Sequence, residues 1–206
     1  MTSYRRKGDG NACHRRSIAC RHASRGFKAA SAAFGFLSIT ASSIGVAILQ
    51  YLLQEPATGQ RQIERSYHPT DRARGQEVIA TLERPGFPIK PREGERYRNP
   101  IVVLTGPATY SAAEDFLIAW KSSGRGKIIG EPSGGSTGQP LGITLPGGGS
   151  ARICSKKDIF ADGGVWEGIG IQPDIPVHQT VGDLAAGRDT VVERGVKYLK
   201  GLKSGQ

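Results

Sequence analysis

Two short apolar runs separated by one helix length constrain this chain more than any other feature. Residues 101–105 read Ile-Val-Val-Leu-Thr between Pro100 and Gly106, and residues 127–130 read Lys-Ile-Ile-Gly. Runs of this length, rich in β-branched residues and closed by Pro or Gly, read as buried strands. Between them, residues 111–122 read as a helix, apolar at Ala112, Ala113, Phe116, Leu117, Ala119 and Trp120. Strand, helix, strand in this order make a crossover unit with two parallel strands. The expected class is α/β, a mixed sheet with crossover helices.

The rest of the chain falls into recognisable pieces. Residues 141–145 and 151–155 flank Pro-Gly-Gly-Gly-Ser, which signals a hairpin. Residues 189–200 read as a helix with Asp189 at its N-cap and Gly201 beyond its end. Residues 55–99 are polar and rich in Arg, Glu and Pro, and read as a mostly irregular connection with one strand near residues 65–67.

The net charge of +10 raises the question of a nucleic-acid partner. Eight Arg or Lys fall in residues 1–28 against Asp9 alone, which is +7; the remainder holds 20 basic and 17 acidic residues, only +3. The basicity belongs to a tail, expected to be disordered, and no nucleic-acid groove is expected across the folded part. Cys13, His14, Cys20 and His22 cluster in that tail, but their spacing matches no tight zinc-ligand pair, so no metal and no other cofactor is expected. Residues 29–54 carry no charge at all. That span is long enough to cross a bilayer behind a basic flank, and it equally suits a core helix ending before Pro56.

Ser111 opens the crossover helix, and Glu114 follows three residues later. Ser-x-x-Glu before an apolar run is a capping box, in which the hydroxyl serves only to satisfy a backbone N–H. A serine at a strand–turn–helix junction also sits where unpaired N–H groups and a partial positive charge stabilise an oxyanion. Position alone leaves both readings open.

Three segments, "VVLTGPATYSAAEDF", "GRGKIIGEPSGGSTGQPLGITLPGGG" and "EGIGIQPDIPV", together resemble the C-terminal half of a tail-specific (C-terminal processing) serine peptidase domain, tricorn-core-like branch. The resemblance runs from about residue 48 to residue 201 and is densest over residues 101–177. It implies a crotonase/Clp-peptidase-like fold, incomplete at the N-terminal side, with residues 100–202 as the peptidase core. It further implies peptide-bond hydrolysis through an acyl-enzyme on Ser111, with the Ala112 N–H in the oxyanion hole.

The remaining site residues follow from the same resemblance. The loop Gly134, Gly135, Ser136 lies beside the serine, and Ser136 stands where one branch of the family carries a catalytic lysine. Glu167 matches the glutamate that the other branch uses to orient a histidine. His68 is the candidate base on that pattern, although it sits in no family motif and reads equally as a solvated loop residue. The Gly-rich loop that completes the family's oxyanion hole is not found before residues 47–53. The alternative is therefore a truncated, catalytically inactive homologue that keeps a peptide-binding groove. The partner expected is a polypeptide, with membrane association through residues 29–54 and a cell-envelope location if that span is an anchor or export segment. No oligomeric state is legible.

Overall fold

The computed structural model describes residues 42–76 and 79–203, all within one compact unit formed by Ala33–Gln206. In chain order the elements are α1 (Ser42–Leu52), β1 (Ala57–Thr58), β2 (Arg61–Tyr67), α2 (Pro69–Ala73), β3 (Ile79–Arg84), β4 (Pro88–Ile89) and β5 (Val102–Thr105). There follow α3 (Ala112–Ser123), β6 (Lys127–Gly130), β7 (Pro140–Thr144), β8 (Ser150–Cys154), β9 (Lys156–Ile159), β10 (Ile175–Pro176), α4 (Val181–Ala185) and α5 (Thr190–Lys203). The basic tail, its Cys/His cluster and residues 29–41 of the uncharged span lie outside the described residues.

The crossover unit forms as its sequence predicts. β5 and β6 run parallel, Val102 opposite Lys127 through Thr105 opposite Gly130, with α3 between them, and β10 adds a third parallel strand beside β6. Alternation along β5 assigns its two faces. Val103 packs into the core cluster with Leu117, Ile118 and Trp120 of α3 and Leu49 and Leu53 at the end of α1. Val102 and Leu104 face the other way, where Gly195 of α5 leaves room for both: a Cβ there would lie 3.2 Å from Leu104 and 3.5 Å from Val102. The sheet thus sits between α5 and the α1–α3 pair.

Trp120 and Trp166 are the two largest buried side chains of that core, and the Trp120 Nε1–H donates to the Gly126 carbonyl at 2.9 Å. Five residues on, Arg125 ties three carbonyls together: Leu52 at 2.7 Å, Tyr97 at 3.0 Å and Asn99 at 2.8 Å. One guanidinium therefore closes the C-terminal end of α1 and fixes the approach to β5.

Three features differ from the sequence reading or decide between its alternatives. First, residues 55–99 are largely ordered. β2 pairs antiparallel with β3 along one edge and with β9 along the other, and β1 pairs with β4. The strand read near residues 65–67 is the end of β2. Its sequence, Arg-Gln-Ile-Glu-Arg-Ser-Tyr, lacks apolar alternation because cross-strand ion pairs, Arg61–Glu83 and Arg84–Glu64, stand where apolar pairs would. Second, of the two readings of the uncharged span, its described part takes the core-helix one, as the 11-residue α1, and among the described residues no helix is long and apolar enough to cross a membrane. Third, α5 runs through Gly201 to Lys203, because Gly201 does not take the left-handed conformation that ends helices. Its start agrees: Asp189 Oδ1 accepts the Val192 N–H at 2.9 Å. The hairpin β7–β8 also forms as expected, its turn made by Gly147 and Gly148 at φ of 82° and 81°.

Trp120→Ala should lower stability by about 3–5 kcal/mol, since it empties the centre of the core and orphans the Gly126 carbonyl. Urea unfolding checks this, and an unchanged midpoint would show that α3 is held by something other than this packing.

Candidate active site

In a parallel sheet with crossover helices, ligands bind beyond the carboxyl ends of the strands. Ser111 lies there, six residues after the end of β5 and one before the start of α3. An ordinary N-cap residue has extended φ/ψ and uses its side chain to bond the first turn. Ser111 departs from the first of these: its φ is 59° and ψ −127°. The Glu114 N–H donates to the Ser111 main-chain carbonyl at 2.7 Å. A β-carbon at positive φ is strained, and such strain persists only where the surroundings enforce it.

Glu114 is the enforcing group. It is fully buried, and its carboxylate collects four donors from both sides of the turn. Oε1 accepts from Ser133 Oγ at 2.6 Å and the Gly135 N–H at 2.7 Å; Oε2 accepts from the Ser111 N–H at 3.0 Å and the Ser136 N–H at 3.2 Å. Burial pushes its pKa up, and the bonds from Ser133, Gly135, Ser111 and Ser136 pull it back toward the ionised form. The Ser111 N–H also reaches the Ser136 carbonyl at 2.8 Å. The acidic half of the capping box is thus joined to the loop of residues 133–136 as well as to its own helix.

The loop of residues 133–136 lies between the serine turn and the turn at residues 166–171. Gly134 N–H donates to the Thr109 carbonyl at 2.7 Å, and Gly168 N–H donates to the Gly135 carbonyl at 2.8 Å. Ser133 Oγ accepts the Ile171 N–H at 2.7 Å. Gly135 has φ 64°, and a Cβ on it would lie 2.7 Å from the Gly170 nitrogen, so the packing of the two turns requires glycine. Glu167 sits in the second turn, where Oε1 accepts the Asp158 N–H at 2.9 Å. Among the described residues its Oε2 has no hydrogen-bond partner.

Ser111, Ala112, Gly134, Gly135, Ser136 and Glu167 are therefore linked through one network. Ala112 is the first helical residue, so its N–H has no carbonyl one turn back within the helix. His68 stands apart. It follows β2, whose other end starts beside Gln60, and Gln60 lies close enough to Asp115 of α3 to help stabilise its charged form. Seven strand residues at about 3.3 Å each separate the two ends by roughly 20 Å. His68 instead meets Ser66 Oγ at 3.2 Å, exposed to solvent.

Below the serine turn lies a buried polar group that the sequence motifs did not flag. Asp158 is fully buried and bonds Lys156 Nζ at 2.9 Å and Thr137 Oγ1 at 3.1 Å. Asp115, on α3, has its pKa pushed up to about 6, first by burial and then by the Asp158 charge, with Lys156 acting in the opposite direction. Asp115 Oδ1 and Gln60 Oε1 are both buried without a partner.

The profile of Peptidase family S41 matches residues 41–177 of the chain. The chain belongs to this family. The resemblance to tail-specific peptidases read from the motifs is thereby borne out, and so is the α/β fold. A protein of Chlamydia trachomatis serovar D is 28% identical over 99 residues, which is 47% of this chain and 16% of that protein. The crystal structure of a candidate peptidase from Parabacteroides merdae superposes with a TM-score of 0.60 at 26% identity, covering 77% of this chain and 48% of that one. Mature CPAF in complex with lactacystin gives 0.56 at 18% identity over 77% of this chain and 40% of CPAF, a likeness of fold. The chain thus spans less than half the length of these relatives.

Within this S41 chain, Asp115 makes stability depend on pH with a definite sign. Its folded pKa, about 6, lies above its ordinary 3.8, so folding favours the protonated form. The cost of ionising it is absent below pH 4 and complete above pH 6, so stability falls as pH rises through that window. Asp115→Asn should flatten this part of the curve and gain on the order of 1–3 kcal/mol at pH 7 relative to the parent chain. Urea midpoints at pH 4.5 and 7 test it; a variant with the parent's slope would remove Asp115 from the account.

Proposed function

We propose that this chain acts as a serine-type peptidase, hydrolysing polypeptide through an acyl-enzyme on Ser111. One observation carries the reading: Ser111 is held at φ 59° and ψ −127° at the mouth of the crossover, outside the extended backbone that an ordinary N-cap adopts. A serine needed only for capping has no use for that strain, whereas a nucleophile turned out of the helix does. Membership of family S41 supports the same chemistry.

On this reading Ser111 Oγ attacks the scissile carbonyl, and the Ala112 N–H faces the oxygen that gains charge, assisted by the helix dipole. The C–N bond then breaks, the amine leaves with a proton, and water releases the acyl group. A serine hydroxyl needs a base within hydrogen-bond reach to take its proton. Glu114 is unsuited to this, because both its oxygens already accept two donors each. Glu167 fits the role of orienting a base, since Oε1 is anchored on the Asp158 N–H and Oε2 remains available. Gly134, Gly135 and Ser136 would line the path of the substrate backbone. Cleavage near polypeptide C-termini is the specificity that the family resemblance suggests.

A fluorophosphonate probe reports on the nucleophile directly. The expected result is one adduct on the peptide containing Ser111, missing from Ser111→Ala. A sample that is folded by circular dichroism and takes no label would abandon this reading for that of an inactive homologue.

A further inference from the structure

The serine turn rests on a buried ionic layer that acyl transfer itself does not use. Lys156 and Asp158 are two apart on β9 and so share one face of the strand. Their side chains are 9% and 0% exposed, with Nζ and Oδ1 2.9 Å apart. The other oxygen of Asp158 accepts from Thr137 Oγ1 at 3.1 Å, and Thr137 follows Ser136, whose carbonyl holds the Ser111 N–H. The Asp158 main chain meanwhile anchors Glu167. Asp158 is thus bonded to both segments that flank the serine turn.

Facing this pair from α3 is Asp115, on which the preceding Glu114 also acts, and from the link between β1 and β2 comes the Gln60 amide. The charges of Asp158 and Glu114 both press on Asp115, and among the described residues the cation that opposes them is Lys156. Buried charges of one sign repel strongly unless a counter-charge is present. The Lys156 ammonium is tied to Asp158, so it is in no position to serve as a base toward Ser111.

We propose that Lys156 is a positioning residue for Ser111: its ammonium neutralises the Asp115–Asp158 pair and so keeps Thr137, Ser136 and Glu167 seated against the serine turn. This rests on the reading of Ser111 as the nucleophile. Without the ammonium, Asp115 and Asp158 can lie side by side only while one of them is protonated. Acid then preserves the arrangement, and alkali drives the two apart.

The test compares the parent chain, Lys156→Met, and Lys156→Met combined with Asp115→Asn. For each, the rate of fluorophosphonate labelling at Ser111 and the melting temperature are measured from pH 5.5 to 8.5. Relative to the parent, Lys156→Met should label at a similar rate at pH 5.5 and at least about tenfold more slowly at pH 8.5, the effect of one lost pKa unit of coupling. Its melting temperature should fall across the same range. Adding Asp115→Asn should restore most of both, because it removes one of the two repelling charges. A Lys156→Met chain with the parent's pH profile overturns the proposal, as does a loss equal at every pH that Asp115→Asn leaves unrepaired. If the parent itself takes no label, the peptidase reading fails separately. The melting curves then decide the charge-neutralising role: a pH-independent gap between parent and Lys156→Met rejects it.

Discussion

A single buried carboxylate holds the site together. Glu114 bonds the Ser111 N–H on its own helix and Ser133, Gly135 and Ser136 on the loop after β6. Those segments would otherwise leave buried N–H groups unpaired at the place where the sheet ends and its ladders stop. A neutral acceptor there would satisfy fewer of them, since bonds to an ionised oxygen are stronger and four lone-pair sites are needed. The cost is a charge with no access to water. It is tolerated because the four donors converge on it and because the N-terminus of α3 presents the positive end of a helix dipole. The strained conformation of Ser111 follows from this arrangement. With its N–H shared between Glu114 and the Ser136 carbonyl, the residue has little freedom to relax toward an ordinary cap.

Rigidity at the turn depends in turn on the layer behind it. Trp120, Leu117 and Ile118 place α3 against β5 and β6, while Arg125 closes α1 onto the lead into β5. These contacts fix where the first turn of α3 lies relative to the carboxyl ends of the strands. A packing change at Trp120, nine residues or about two and a half turns from Ser111, therefore bears on the serine along the helix axis.

The crossover was legible in the sequence because its signals are local. Two β-branched runs and one apolar helix face each follow a fixed period, and Asp189 announces α5 by its own side chain. Glu114 was legible by position, as the fourth residue of a capping box, but its bonds to Ser133, Gly135 and Ser136 were not. Those partners are 19 to 22 residues away and meet it only after the sheet has formed. Only the end of β2 was legible, and β3 not at all, for a different reason. Their strand character lies in cross-strand charge pairs, which leave no alternation of apolar and polar residues to read. Family motifs did better than periodicity at the loop of residues 133–136, since Gly135 is required by the close approach of Gly168 and Gly170, a tertiary contact that leaves its mark in the sequence as a glycine.

The same distinction explains why the ionic layer of Lys156, Asp158 and Asp115 could not be seen beforehand. Lys-Lys-Asp-Ile looks like a solvated strand end, and one of its two lysines is indeed outward. Lys157 points away from the core while Lys156 and Asp158, on the opposite face, are buried. Period-two alternation decides this, yet it shows which residues share a face without showing which face is covered. Neighbours on that face include Asp115 of α3 and Thr137, both distant in sequence. Once they are in place, the strand has no way to expose Lys156 without also withdrawing Asp158 from Thr137 and Glu167. The charge pair and the serine turn are then coupled by geometry, and the pH dependence of one must be carried to the other.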